Sequence, residues 1–104
     1  MARRIQLKDG VSLAGIKPEM QHVLIVADRI WSQHGKPLTI TEYMGGGHSP
    51  RSRHYAGYAL DMRSRIFGEP EKVVVVRKLK AELGKDYDVI NHPTHFHVEY
   101  DPKG

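Results

Sequence analysis

Cysteine is absent from this chain of 104 residues, and so are long apolar runs. Without cysteine there is no disulfide framework, and no thiolate cluster is available to hold a structural zinc. The longest apolar runs, residues 23–27 and 73–76, are far too short to cross a membrane. The basic start at residues 1–4 is not followed by an apolar stretch of signal-peptide length. We therefore expect a protein made in the cytoplasm, without an export signal and without a membrane partner.

The composition is that of one ordinary globular domain. Apolar residues make up 39% of the chain and charged residues 27%, which excludes a disordered polypeptide. The length allows a single core, so we expect one domain over residues 1–104 and predict a monomer. The net charge of +4 favours an anionic partner. Lysine and arginine are spread along the chain, with no aromatic motif for single strands, so nucleic acid is the less favoured partner.

Hydrophobic periodicity and turn residues predict an α+β fold. We expect an antiparallel sheet of about four strands, with two helices packed on one face and a metal cleft at the other. A short N-terminal docking segment covers residues 1–16, where the alternation of Ile5 and Leu7 is broken by Asp9 and Gly10. The predicted elements are helices over residues 18–34 and 69–83 and strands over residues 37–44, 58–64, 86–90 and 95–100.

The second predicted helix contains four consecutive valines at residues 73–76. Their β-branched side chains would suit a strand if they were taken alone. Capping signals at both ends, Glu69 with the following proline and Gly84 as the stop, favour a helix instead. The apolar residues that share a helical face, and that we expect to face the core, are Val73, Val76, Leu79 and Leu83.

Two separated segments carry the residue types of a metal site. His54 and Asp61 lie on a segment that passes from a glycine-rich loop into a predicted strand. His95 and His97 alternate on another predicted strand, which turns both imidazoles to one face. Two histidines and one aspartate are enough for a catalytic zinc, which takes three protein ligands and keeps one position open for water. The sequence therefore predicts an open zinc site divided between two parts of the chain.

The pattern SxHxxGxAxD over residues 52–61, followed by HxH over residues 95–97, resembles a known family. It is similar to the zinc D-alanyl-D-alanine carboxypeptidases and L-alanyl-D-glutamate endopeptidases of peptidase family M15, whose zinc core is also seen in hedgehog domains. The ending HFHVEYDP at residues 95–102 is similar to small phage and prophage members. Either half of the motif alone would be weak, whereas the combination is specific.

The resemblance implies zinc ligands at His54, Asp61 and His97, with His95 beside them to stabilise the transition state. It also implies a hedgehog-like, DD-peptidase-like fold. The implied activity is a zinc metallopeptidase that hydrolyses peptidoglycan stem or cross-bridge peptides with metal-activated water. A phage or prophage endolysin that degrades the cell wall after release is the corresponding biological role.

The general base departs from the family pattern. Family members have a carboxylate shortly before the last ligand, whereas residues 91–94 read Asn-His-Pro-Thr. Three alternatives follow: His92 accepts the proton as a neutral imidazole, His95 serves as both base and oxyanion stabiliser, or the site binds zinc and substrate with little turnover. The last alternative makes the chain a zinc-binding phage structural or cell-wall-binding module.

Further residues near the motif are candidates for substrate contacts. Arg51 and Arg53 flank the zinc loop, where they either bind a substrate carboxylate through paired hydrogen bonds or form a solvated basic loop. His48 either contacts substrate or caps the glycine-rich loop. Glu99 shares a strand face with His97, and it either orients that ligand or forms a cross-strand ion pair.

Overall fold

The computed structural model describes residues 5–43 and 57–102, which form one mixed sheet with two helices. The strands are β1 (Ile5–Leu7), β2 (Leu38–Glu42), β3 (Ala59–Arg63), β4 (Tyr87–Asn91) and β5 (His95–Tyr100). The helices are α1 (Pro18–Gln33) and α2 (Glu69–Leu83). The predicted α+β class and both predicted helices are confirmed.

The strand order β1-β2-β3-β5-β4 corrects the expectation of a purely antiparallel sheet of about four strands. β1 pairs with β2 in parallel, with Ile5 beside Leu38, while the other neighbouring strands are antiparallel. A parallel pair needs a crossover connection, and α1 supplies it. β1 lies inside the predicted docking segment, and its three residues are all exposed. The alternation of Ile5 and Leu7 spans only these three exposed residues, which is too short to predict a strand.

Helix α1 follows its sequence signals closely. Pro18 stands at the start, where its missing N–H costs nothing, and Glu19 lies in the first turn, where the helix dipole favours a negative charge. After the helix ends, Gly35 takes a positive φ of 67°, which glycine adopts without strain. Within residues 5–43 and 57–102, neither helix has the length and apolar character that a membrane crossing requires.

Helix α2 forms despite its four valines, and the predicted core residues Leu79 and Leu83 are buried, with Val76 packed against the core, but Val73 is not. Its buried residues are Lys72, Val75, Leu79 and Leu83. Val73, which we expected to face the core, is 51% exposed. Lys72 takes the inner position, where its ammonium donates to the carbonyl of Pro93 at 2.9 Å.

Strands β3 and β5 divide their side chains between the two faces of the sheet. Four residues of these strands are fully buried in the core with the helices: Leu60, Met62, Phe96 and Val98. Trp31 of α1 packs edge-on against Phe96, with ring centroids 5.8 Å apart. Because alternate strand residues face opposite sides, the residues between them lie on the other face. That face, away from the helices, carries Asp61, His95, His97 and Glu99.

Candidate metal centre

Asp61 and His97 form the centre of the site. They are direct partners across the antiparallel pair β3 and β5. Nδ1 of His97 lies 2.8 Å from Oδ1 of Asp61. Both side chains are largely buried, with 11% of the Asp61 side chain and 17% of the His97 side chain exposed. Two of the three predicted ligands are therefore in contact, with a carboxylate oxygen facing an imidazole nitrogen.

The second ring nitrogen of His97 is held by Glu99. Nε2 of His97 lies 2.8 Å from Oε1 of Glu99, two residues further along the same strand face. The hydrogen bond to Asp61 raises the pKa of His97 above its ordinary value, burial opposes this, and the bond to Glu99 raises the pKa further. A carboxylate on Nε2 leaves Nδ1 as the atom that faces Asp61. Both ring nitrogens of His97 thus face a carboxylate, and an outer carboxylate on one nitrogen is how proteins commonly orient a histidine that binds metal through the other.

The two predicted catalytic histidines lie beside this pair. Nε2 of His95 is 3.7 Å from Oδ2 of Asp61. The rings of His92 and His95 stack, with centroids 4.7 Å apart, and the His92 ring meets the His97 ring edge-on at 6.4 Å. Burial lowers the pKa of His95, which Asp61 and, more weakly, Glu42 raise and the neighbouring imidazoles lower. His95 is therefore held as a neutral imidazole close to the Asp61 carboxylate.

The turn between β4 and β5 is fixed from two sides. The amide of His92 donates to the carbonyl of His95 at 2.9 Å, and the amide of Ser64 donates to the carbonyl of Thr94 at 3.1 Å. The buried Lys72, 5% exposed, donates to the carbonyl of Pro93. Its ammonium also lies 3.3 Å from the largely exposed carboxylate of Glu69. Lys72 of α2 thus anchors the turn that carries His92, a role that its neighbours in the sequence do not predict.

A groove of about 290 Å³ opens next to the Asp61 and His95 side chains. Its charged lining includes three cations, Lys8, Arg63 and Arg65, and the carboxylate of Glu42. Arg63 is the cross-strand partner of His95, so the sheet register itself places a guanidinium at the site. Sequence reasoning missed these four residues because each, taken alone, is an ordinary surface charge.

The remaining predicted site residues lie outside the described part of the chain. They are the third predicted zinc ligand, His54, and the predicted substrate-binding residues His48, Arg51 and Arg53. Asp61 and His97 are thus the two predicted ligands whose positions the structure gives.

A second group of acidic side chains lies at the other end of β5. Single ligand atoms of Asp88, Glu99 and Asp101 all lie within 4.8 Å of one another. Among the described residues, this is the one group of three potential metal-binding side chains that is so close together. Asp61, His95 and His97 do not form such a group by themselves within residues 5–43 and 57–102.

The donor chemistry of the pair fits zinc. Carboxylate oxygen and imidazole nitrogen are both zinc ligands, and a third ligand from the protein would complete an open catalytic site. Asp61 and His97 already face each other at 2.8 Å, so one ion could be bound by both after the Nδ1 proton is lost. In comparisons with known proteins, no family model and no curated protein matches this chain. The sequence motif and the geometry of the pair therefore carry the functional argument.

Proposed function

We propose that this protein is a zinc peptidase that hydrolyses peptidoglycan stem or cross-bridge peptides, similar to the M15 carboxypeptidases and endopeptidases with a hedgehog-like zinc core. The observation that carries the proposal is the 2.8 Å approach of Asp61 and His97, the two described members of the predicted ligand set. His54, on the SxHxxGxAxD segment, is the third ligand in this proposal. The motif also supports a phage or prophage origin and action on the cell wall after release.

The metal would polarise the substrate carbonyl and lower the pKa of a water molecule toward neutrality. The protein supplies the rest of the chemistry. His95, whose pKa burial lowers, stays neutral at neutral pH and can donate an N–H to the oxygen that becomes negative as the carbonyl is attacked. Among the turn residues 91–94, His92 is the one whose side chain offers a nitrogen that could act as a general base.

The groove beside the pair supports an anionic peptide as substrate. Lys8, Arg63 and Arg65 line it together with Asp61 and His95. An arginine can hold a carboxylate through two parallel hydrogen bonds, which fixes orientation as well as position. Wall peptides carry free carboxylates, so a substrate carboxylate in this groove would lie close to the two ligands. Arg51, Arg53 and His48 stay predicted substrate contacts in this proposal.

The test uses the metal-stripped protein, the same protein reloaded with one equivalent of zinc, and purified wall peptides. We expect zinc to bind at a one-to-one ratio and new amino groups to appear only in the loaded sample, with the cut bond identified by mass spectrometry. His97→Ala should lose both zinc and activity. His22→Ala is the matched control, because His22 lies on α1, with its ring centroid 6.1 Å from that of Tyr87.

A second candidate function is a zinc-dependent wall-binding module without catalysis. The observation in its favour is that residues 91–94 contain no carboxylate. One-to-one zinc binding together with zinc-dependent wall binding, and no released amine with or without chelator, would favour this module and reject the peptidase. Absence of zinc binding in the wild type would reject both.

A further inference from the structure

Strand β2 carries an irregularity where it meets the site. Ile40 pairs with Met62, so regular antiparallel pairing would place Glu42 opposite Leu60. Leu60 is fully buried on the core face, where a carboxylate would be costly. The register instead shifts between Ile40 and Glu42, and Glu42 pairs with Asp61. Bulges of this kind recur next to active sites, where they redirect a side chain.

The bulge gives Glu42 a place on the face that carries the site. Glu42 is half-buried and lines the 290 Å³ groove together with Asp61 and His95. The turn at residues 91–94 has no carboxylate. Strand β2 lies on the other side of Asp61 and His95 and supplies the carboxylate of Glu42. The chain therefore holds a carboxylate at the site that spacing along the sequence does not reveal.

We propose that Glu42, rather than His92, is the general base of the hydrolysis, an inference that rests on the proposed peptidase function. As the water oxygen bonds to the peptide carbonyl carbon, one O–H proton passes to a carboxylate oxygen of Glu42. When the C–N bond breaks, the same proton passes to the leaving nitrogen, and Glu42 is a carboxylate again. His92 then supports the His95 ring through their stacked contact, and His95 donates to the developing oxyanion.

A purely electrostatic role for Glu42 makes different predictions. A carboxylate that only balances the groove cations Lys8, Arg63 and Arg65 would affect substrate affinity or folding stability. It would leave the rate of bond cleavage in the bound substrate unchanged. A general base contributes about 10² to 10⁴ in rate, and this contribution appears in kcat. The two roles are therefore separated by the KM and kcat of variants that still bind zinc.

The experiment compares zinc-loaded wild type, Glu42→Gln, Glu42→Asp and His92→Gln on the same wall peptides. Glu82→Gln is the matched control, because Glu82 joins the two helices through an ion pair with Arg29. We expect Glu42→Gln to keep one zinc and a similar KM while kcat falls about a hundredfold or more. Glu42→Asp, which keeps a shorter carboxylate, should recover part of the rate, and His92→Gln should stay within about tenfold of wild type.

A binding measurement provides a readout that does not depend on turnover. A short peptide hydroxamate gives up a proton when it binds zinc, and a nearby base should accept that proton. We expect Glu42→Gln to bind it at least about tenfold more weakly than wild type, since a charged hydrogen-bond partner is lost. Hydroxamate binding that depends on Glu42 in a protein that cuts no peptide would support Glu42 as proton acceptor and reject the peptidase. Unchanged kcat or unchanged hydroxamate affinity in Glu42→Gln would overturn the assignment of Glu42. Should Glu42→Gln not fold, Glu42→Asp with wild-type kcat and affinity would overturn it equally.

Discussion

Glu99 offers the sharpest test of the proposed metal centre, because it acts on a ligand without being one. Its Oε1 lies 2.8 Å from Nε2 of His97, and 22% of its side chain is exposed. In this geometry His97 donates Nε2–H to Glu99 and presents Nδ1 toward Asp61. Removing the carboxylate frees the ring to rotate and to change tautomer, so fewer molecules present the Nδ1 lone pair to the metal.

The expected magnitude follows from the loss of one such outer contact, about 10- to 100-fold in metal affinity. This corresponds to about 1.4 to 2.8 kcal/mol. Glu99→Ala removes both the charge and the hydrogen-bond acceptor, so its loss of metal affinity should lie near the upper end of this range. Glu99→Gln keeps an amide oxygen that can still accept from Nε2–H, so its loss should be about tenfold or less.

The assay is a competition titration with a chromophoric zinc chelator at fixed pH, repeated for each variant. Nitrogen-15 spectra of the His97 ring, recorded on the zinc-bound protein, report which nitrogen carries the proton. Glu82→Gln is the control, since Glu82 makes an ion pair of the same length, 2.8 Å, with Arg29 on the helices. Equal zinc affinity in wild type and Glu99→Ala, or a metal-bound His97 with its proton on Nδ1, would refute the reasoning.

Three further predictions concern pH, the turn and the groove. In the metal-free protein the raised pKa of His97, caused first by Asp61, adds stability that is full below pH 6.5 and is lost as pH rises through the folded value. The free energies of unfolding of wild type and His97→Gln, measured by denaturant titration, should therefore converge as pH rises. Zinc affinity should increase over the same pH range, because the metal and the proton compete for His97. Lys72→Met removes the ammonium bonded to Pro93 and should lower the free energy of unfolding by about 1 to 2 kcal/mol. Hydrogen exchange at the His92 amide should become faster, and unchanged exchange would contradict the anchoring role of Lys72. Arg63→Gln should raise KM for carboxylate-bearing peptides about tenfold with little change in kcat, whereas Arg29→Gln should change neither.

The sequence predicts the regular part of this fold well because local signals and burial agree there. Pro18 and Gly35 mark the ends of α1, and Glu69 and Gly84 mark those of α2. The alternation in β5 places His95 and His97 on one face, as the sequence predicts. These features depend on neighbours within a few residues, so the information needed to predict them lies in the segment itself.

The features that the sequence did not reveal depend on contacts between distant segments. β1 exists because α1 returns the chain beside it, and three exposed residues hold no independent signal. The inward face of α2 includes Lys72, which bonds to Pro93 21 residues away, while Val73 of the predicted core is exposed. Glu42 reaches the site through a bulge against β3, and a break in pairing cannot be predicted from strand periodicity alone.

The position of the site in the sheet explains how so small a domain can hold its donors in place. β3 and β5 are inner strands, each paired on both sides, and their alternate residues Leu60 and Phe96 are fully buried. A slip of one residue between them would expose these core side chains and bury the donors, so the hydrophobic face fixes the register that brings Asp61 beside His97. The stability of the core and the geometry of the Asp61–His97 pair are therefore set by the same strand pairing. In the proposed metal centre these two side chains would therefore be in place before a metal binds, and binding at Nδ1 of His97 would require the loss of its proton.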